Sequence, residues 1–139
     1  MFMSSNLAFK YRIDKVETVN FNIDTDIYQS GAPIKMQISF KESCAEGSNL
    51  LRIECLFQIA NNAFEQSFLK VAVAITFEIH QEDVSKIITT VDDKPTIIPE
   101  VLRKFNQMTY DTLRGVLHVK TDGTSFNKFM APGWDIPIQ

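Results

Sequence analysis

The stretch that decides the fold is Pro99–Pro132, PEVLRKFNQMTYDTLRGVLHVKTDGTSFNKFMAP. Apolar or small residues recur there at Ile98, Val101, Leu102, Phe105, Met108, Thr109, Thr112, Leu113, Val116 and Leu117. That i, i+3, i+4 spacing predicts one unbroken stripe along a helix of about five turns. Pro99 suits the first turn, where its missing N–H costs no hydrogen bond, and Glu100 complements the positive end of the helix dipole. The Thr121-Asp122-Gly123-Thr124 run predicts the stop. Gly115 inside the helix costs up to about 1 kcal/mol relative to alanine, a cost that points to close approach by another backbone. With Thr109 and Thr112 it makes a small-residue ridge, the expected oligomer interface.

Everything before the helix reads as strand, so the helix is expected to be the second layer over a sheet. Tyr11, Ile13, Val19, Phe21 and Ile23 alternate with polar residues, with Val16 on the opposite parity. A bulge near 15–18 reconciles the two halves. After a loop at 25–33, Ile34, Met36, Ile38 and Phe40 alternate with Lys35, Gln37, Ser39 and Lys41. That is a strand with one wet face. A third strand, Leu50–Ala60, places Leu51, Ile53, Cys55, Phe57 and Ile59 on one side. A fourth, Phe64–Ile79, carries Val71, Val73, Ile75, Phe77 and Ile79, with the small Ala72 and Ala74 behind them. Short loops join these last strands into an antiparallel meander. Residues 81–91 hold Val84, Ile87, Ile88 and Val91 at helical spacing and predict a short helix ended by Asp92-Asp93 and Pro95. The expected fold class is therefore α+β: one domain over 1–139, a four-stranded antiparallel sheet under one long C-terminal helix. The tail after the helix is apolar at Phe126, Phe129, Met130 and Trp134 but broken by Pro132, Gly133 and Pro137, so it is expected to lie extended over the fold.

Composition narrows the function. A hydrophobic content of 45% and a net charge of -3 suit a soluble globular domain and argue against a basic nucleic-acid surface. No run approaches the roughly 18 apolar residues of a membrane span, and no leader pattern opens the chain. The expected address is the cytoplasm. The 11 phenylalanines belong to a core or to a surface that touches other apolar matter, since phenylalanine brings area and no polar handle.

Chemistry-bearing patterns are weak. Cys44 and Cys55 are too few for a disulfide scaffold or a metal site, and neither is placed beside His80 or His118 by the sequence. Glu82-Asp83 and Asp92-Asp93 sit where carboxylates cap or solvate. Phosphate-binding glycine loops are absent. No catalytic residue, cofactor or metal is expected, and the chain is read as a non-enzyme with an interaction surface.

Met108-Thr109-Tyr110-Asp111-Thr112-Leu113-Arg114-Gly115, then Phe126-Asn127-Lys128-Phe129-Met130-Ala131-Pro132, following four antiparallel strands, resembles the SecB family of export chaperones. The resemblance covers most of the chain. It implies an ATP-independent chaperone that holds unfolded polypeptide in apolar grooves, assembled as a homo-oligomer, a dimer of dimers with paired sheet edges and packed long helices. It further implies a groove walled by Phe126, Phe129, Met130 and Trp134, facing Phe40, Leu56 and Phe57. The family's export ATPase is the implied docking partner. Against that docking stand the modest net charge of -3, the absence of a second C-terminal helix before Gln139, and the helical pattern at 81–91. A SecB-fold adaptor with one specific client, for instance of the toxin–antitoxin kind, is the alternative. An enzyme or small-ligand carrier using the space between helix and sheet is the third reading.

Overall fold

A computed structural model describes residues 8–45, 47–61 and 66–129. Four long strands form one antiparallel sheet: β1 (Tyr11–Ile23), β2 (Ile34–Cys44), β3 (Leu50–Asn61) and β4 (Ser67–Ile79). Their spatial order is β1-β4-β3-β2. The β2–β3–β4 meander is thus closed by β1 returning beside β4, a Greek-key arrangement. The connection from β1 must cross the sheet end to reach the far edge. It is anchored on the way by Asp24 N–H donating to Phe68 O at 2.7 Å. Gln29 and Asn61 then exchange hydrogen bonds, Gln29 N–H to Asn61 Oδ1 and Asn61 Nδ2 to Gln29 O.

The long helix, α2 (Pro99–Thr121), begins and ends where the sequence places it. Ile98 accepts its first backbone bond from Leu102 N–H, and Gly123 follows the end at φ +81°, a left-handed turn that glycine enters without strain. α2 lies across β3 and β4. Its Val101 and Phe105 meet Leu51, Ile53, Ile75 and Phe77 in one cluster. Its Tyr110, Leu113 and Leu117 meet Cys55, Phe57, Ile59, Val71 and Val73 in another.

Two aromatic groups close the ends of this sandwich. Phe9, Tyr11, Phe77 and Phe105 pack at one. Tyr28, Phe68, Phe126 and Phe129 pack at the other, where Phe126 and Phe129 arrive from a short 3-10 turn after α2. No described phenylalanine is exposed. The phenylalanines there build core, the first of the two readings that composition allowed.

β1 departs from regular pairing on both sides of the expected bulge, with register shifts between Ile13/Lys15 and Thr18/Asn20. β2 pairs β3 residue for residue with no shift.

The expected helix over 81–91 is corrected. A 3-10 turn (Gln81–Asp83) runs into the four-residue α1 (Val84–Ile87), and the chain then forms a hairpin of β5 (Ile88–Val91) and β6 (Lys94–Ile97). Asp92 and Asp93, read as helix-ending residues, are its two-residue turn, both at positive φ (52° and 63°). That is the requirement of a type I′ hairpin, and aspartate tolerates it. Ile87-Ile88-Thr89-Thr90-Val91 is an unbroken β-branched run, and such side chains lose χ1 freedom in a helix but fit a pleated strand. That run was the signal for the hairpin.

Candidate interaction surface

One helix is about 10–12 Å wide and strands are spaced about 4.8 Å apart, so a single helix covers two strands of a sheet and not four. The consequence is visible residue by residue. On β3 and β4 every helix-facing residue is buried. On the edge strands the same face is only partly covered, with Tyr11, Phe21 and Ile23 half-buried against the core. Register places Ile13 opposite Phe77 and Val16 opposite Ile75, so both face the helix layer, yet they remain 46% and 51% exposed. Across the sheet, Met36 and Ile38 lie opposite Ile59 and Phe57. There Ile34 and Met36 are exposed, while Ile38 and Phe40 are half-buried against the core. The fold therefore carries two apolar flanks, one along β1 and one along β2, on either side of α2.

The far face of the sheet is different in kind. Arg52 bridges Glu17 at 3.5 Å and Glu54 at 3.0 Å, Arg12 pairs with Glu78 at 2.9 Å, and Gln58 bonds Gln37 and Ser67. It is a solvated polar lattice around the buried Ala72 and Ala74.

The expected groove residues divide accordingly. Phe40, Phe57, Phe126 and Phe129 do come together, in the cluster under the second half of α2. Phe57, Phe126 and Phe129 are buried there as core, and only Phe40 is partly open. Leu56 sits on the polar far face, between Ser39 and Ala72 in the ladder, and does not join them. Met130 and Trp134 lie outside the described residues. Of the expected oligomer ridge, Thr109 is fully buried with its hydroxyl donating to Phe105 O at 2.8 Å, so it faces its own sheet. Thr112 is half-buried, and Gly115 is exposed with open space where a Cβ would stand. No close approach by the described residues accounts for that glycine.

The residues that sequence reasoning missed as surface are Ile13, Val16, Val19, Ile34 and Met36. Their alternation was legible, but which strands are edges was not.

The cysteines are inert in character. Burial pushes the Cys55 thiol up to about 12, and partial burial raises Cys44, whose Sγ donates to Ala45 O. His80 Nδ1 accepts from Glu82 N–H. It borders a shallow depression of about 160 Å³ with Lys10, Tyr11, Arg12 and Glu78. Asp83 is held below the usual carboxylate range, first by the Lys10 backbone N–H at 2.8 Å and then by Lys86. Among the described residues no three His, Cys, Asp or Glu side chains converge on a metal position, and no helix is long and apolar enough to cross a membrane.

This architecture, a four-stranded antiparallel sheet with one long C-terminal helix, is a SecB-like α+β fold. No family model matches the sequence, and no curated protein does. The fold is similar to that of a solved structure, the Mycobacterium tuberculosis Rv1957 SecB-like chaperone in complex with a ChAD peptide from the Rv1956 HigA1 antitoxin. The two share a TM-score of 0.52 over 89% of this chain and 90% of that one, at 14% sequence identity. At that identity the likeness is one of fold.

Proposed function

We propose that this protein is a non-enzymatic, ATP-independent chaperone of SecB-like type that holds extended polypeptide against an apolar flank of its sheet, the one along β2. The observation that carries the reading is the pair of open flanks beside α2. They leave Ile13 and Val16 open on one side of α2 and Ile34 and Met36 open on the other, apolar side chains beside the core that are available to a partner. Phe40 is the described member of the expected groove that borders such a flank. Met130 and Trp134 belong to the same proposed site through the tail.

The flank along β1 is read as the contact between copies of the chain. Antiparallel pairing of β1 with itself must keep helix-facing residues together. Centred on Lys15 or on Glu17 it sets like charges against each other. Centred on Val16 it sets Lys15 opposite Glu17 of the second copy twice, with Asp14 opposite Thr18. Only the last is free of repulsion. Thr112, Gly115 and the exposed Val119 lie along α2 and would extend the same contact.

A second reading, an adaptor for one client, is favoured by a specific observation. The similar Rv1957 protein is seen with a peptide of an antitoxin. Two measurements decide. Substoichiometric suppression of aggregation of several unrelated unfolded proteins, without nucleotide, supports the general chaperone. Suppression confined to one client supports the adaptor. A protein that binds no unfolded chain at all overturns both.

A further inference from the structure

The β2 edge differs from the β1 edge in three ways that bear on what it accepts. It is an eleven-residue strand with an unshifted register against β3, whereas β1 is broken twice. Among the described residues its outer side pairs with no strand, so alternate residues present backbone N–H and C=O groups as a template for another strand. Its two faces are chemically distinct. Met36, Ile38 and Phe40 line the helix side, while Lys35 stands on the far side opposite Ala60 and Lys41 opposite Glu54, neither lysine within ion-pair distance of an acid among the described residues.

Those lysines argue against a second copy at this edge. The antiparallel register that lays Met36, Ile38 and Phe40 on themselves also sets Lys35 opposite Lys41 twice. Like charges directly opposed destabilise a strand pair, and opposite charges stabilise it. The same geometry that repels β2 attracts a strand with acids in those places.

We infer that β2 takes a client segment as a fifth strand of the sheet, and that it selects the pattern acid–apolar–any–apolar–any–apolar–acid. The apolar positions lie beside Met36, Ile38 and Phe40, and the acids lie beside Lys35 and Lys41. The pattern is the same read from either end, so it fits a parallel or an antiparallel client. Main-chain hydrogen bonds supply affinity that is indifferent to most of the client's sequence, and the two faces supply selection. This inference rests on the polypeptide-holding reading above and names the chemistry of its client.

The test uses the full-length protein and fluorescein-labelled peptides containing Asp-Val-Thr-Val-Thr-Val-Asp, read by fluorescence anisotropy at low salt. Replacing both aspartates by lysine should weaken binding roughly tenfold, and the Lys35→Glu/Lys41→Glu variant should reverse the order of the two peptides. N-methylation of alternate amides in the parent peptide gives two patterns. One removes the donors that face β2 and should cost at least about tenfold, while the other should bind as the parent does. If both methylated peptides bind like the parent, or charge order ignores the lysine reversal, strand addition at β2 is overturned while the chaperone reading stands. Failure of the parent peptide to bind, with aggregation suppression intact, also overturns the inference alone. Loss of both overturns the reading beneath it.

Discussion

The rings of Phe77 and Phe105 lie face to face, 3.9 Å between centroids and 6° between planes. One comes from the end of β4, an inner strand of the sheet, and the other from the second turn of α2, so this stack joins the two layers of the fold. Phe105 also meets Tyr11 and Phe9 edge-on, which ties the start of β1 to the helix. Deleting the Phe105 ring leaves a cavity among Phe77, Tyr11 and Phe9 that these three rings cannot close together. Phe105→Ala is therefore expected to lower unfolding stability by about 3–5 kcal/mol, measured by urea denaturation. A loss under about 1 kcal/mol would mean that the layers are held elsewhere.

Asp83 links three segments through one carboxylate, accepting from the Lys10 backbone N–H and pairing with Lys86 at 3.1 Å. Both contacts favour the ionised form and depress its folded value. The sign follows from linkage. The stability this group contributes is complete above the unfolded carboxylate range, and it is lost as pH falls through the lower folded value. Unfolding midpoints taken from about pH 7 down to about pH 3 should fall more shallowly for Asp83→Asn than for the parent. Parallel curves would show that the carboxylate contributes nothing that depends on its charge.

How much of this was written in the sequence depends on how local each cause is. The stripe from Val101 to Leu117 fixes α2 because helix periodicity is a property of neighbours. The alternation of Ile34 to Phe40 fixes β2 for the same reason. The hairpin at 88–97 was missed because Ile87, Ile88 and Val91 satisfy helical spacing, and the β-branched run outweighs it only on propensity. Phe126 and Phe129 show the deeper limit. Their apolar character requires burial somewhere, but their partner Tyr28 arrives on the crossover between β1 and β2, a hundred or so residues earlier in the chain. Ile13 and Val16 fail in the opposite sense. They carry the pattern of core residues, and only the width of one helix over four strands leaves them open.

Gly115 is a helical glycine on the exposed side of α2 whose added Cβ meets nothing within 4 Å. Inside the subunit it is a cost without a return, so its replacement should be tolerated there. Gly115→Ala is expected to raise the subunit's unfolding stability by about 0.5–1 kcal/mol. Gly115→Leu should leave the far-ultraviolet circular dichroism intact while lowering the native mass of any assembly. An assembly that keeps its mass with leucine at this position does not use this face of α2.

The β1 contact is the most geometrically exposed of these expectations, because a two-fold axis through Val16 places that residue opposite its own copy. Directly opposed side chains in an antiparallel pair have Cβ atoms roughly 4.5–5.5 Å apart, close to what a disulfide spans. Thr18 is on the same face, yet in this register it meets Asp14, and its own copy lies about 13 Å away along the strand. Val16→Cys should therefore cross-link into a covalent dimer on mild oxidation, while Thr18→Cys should not. The parent protein, whose Cys55 is buried and Cys44 half-buried, sets the background. Both positions are exposed, so neither substitution threatens the fold. Equal cross-linking at the two positions would show a β1 contact that slides or is paired differently. Cross-linking at neither, in a protein whose native mass is still that of a dimer, would move the contact away from β1 altogether.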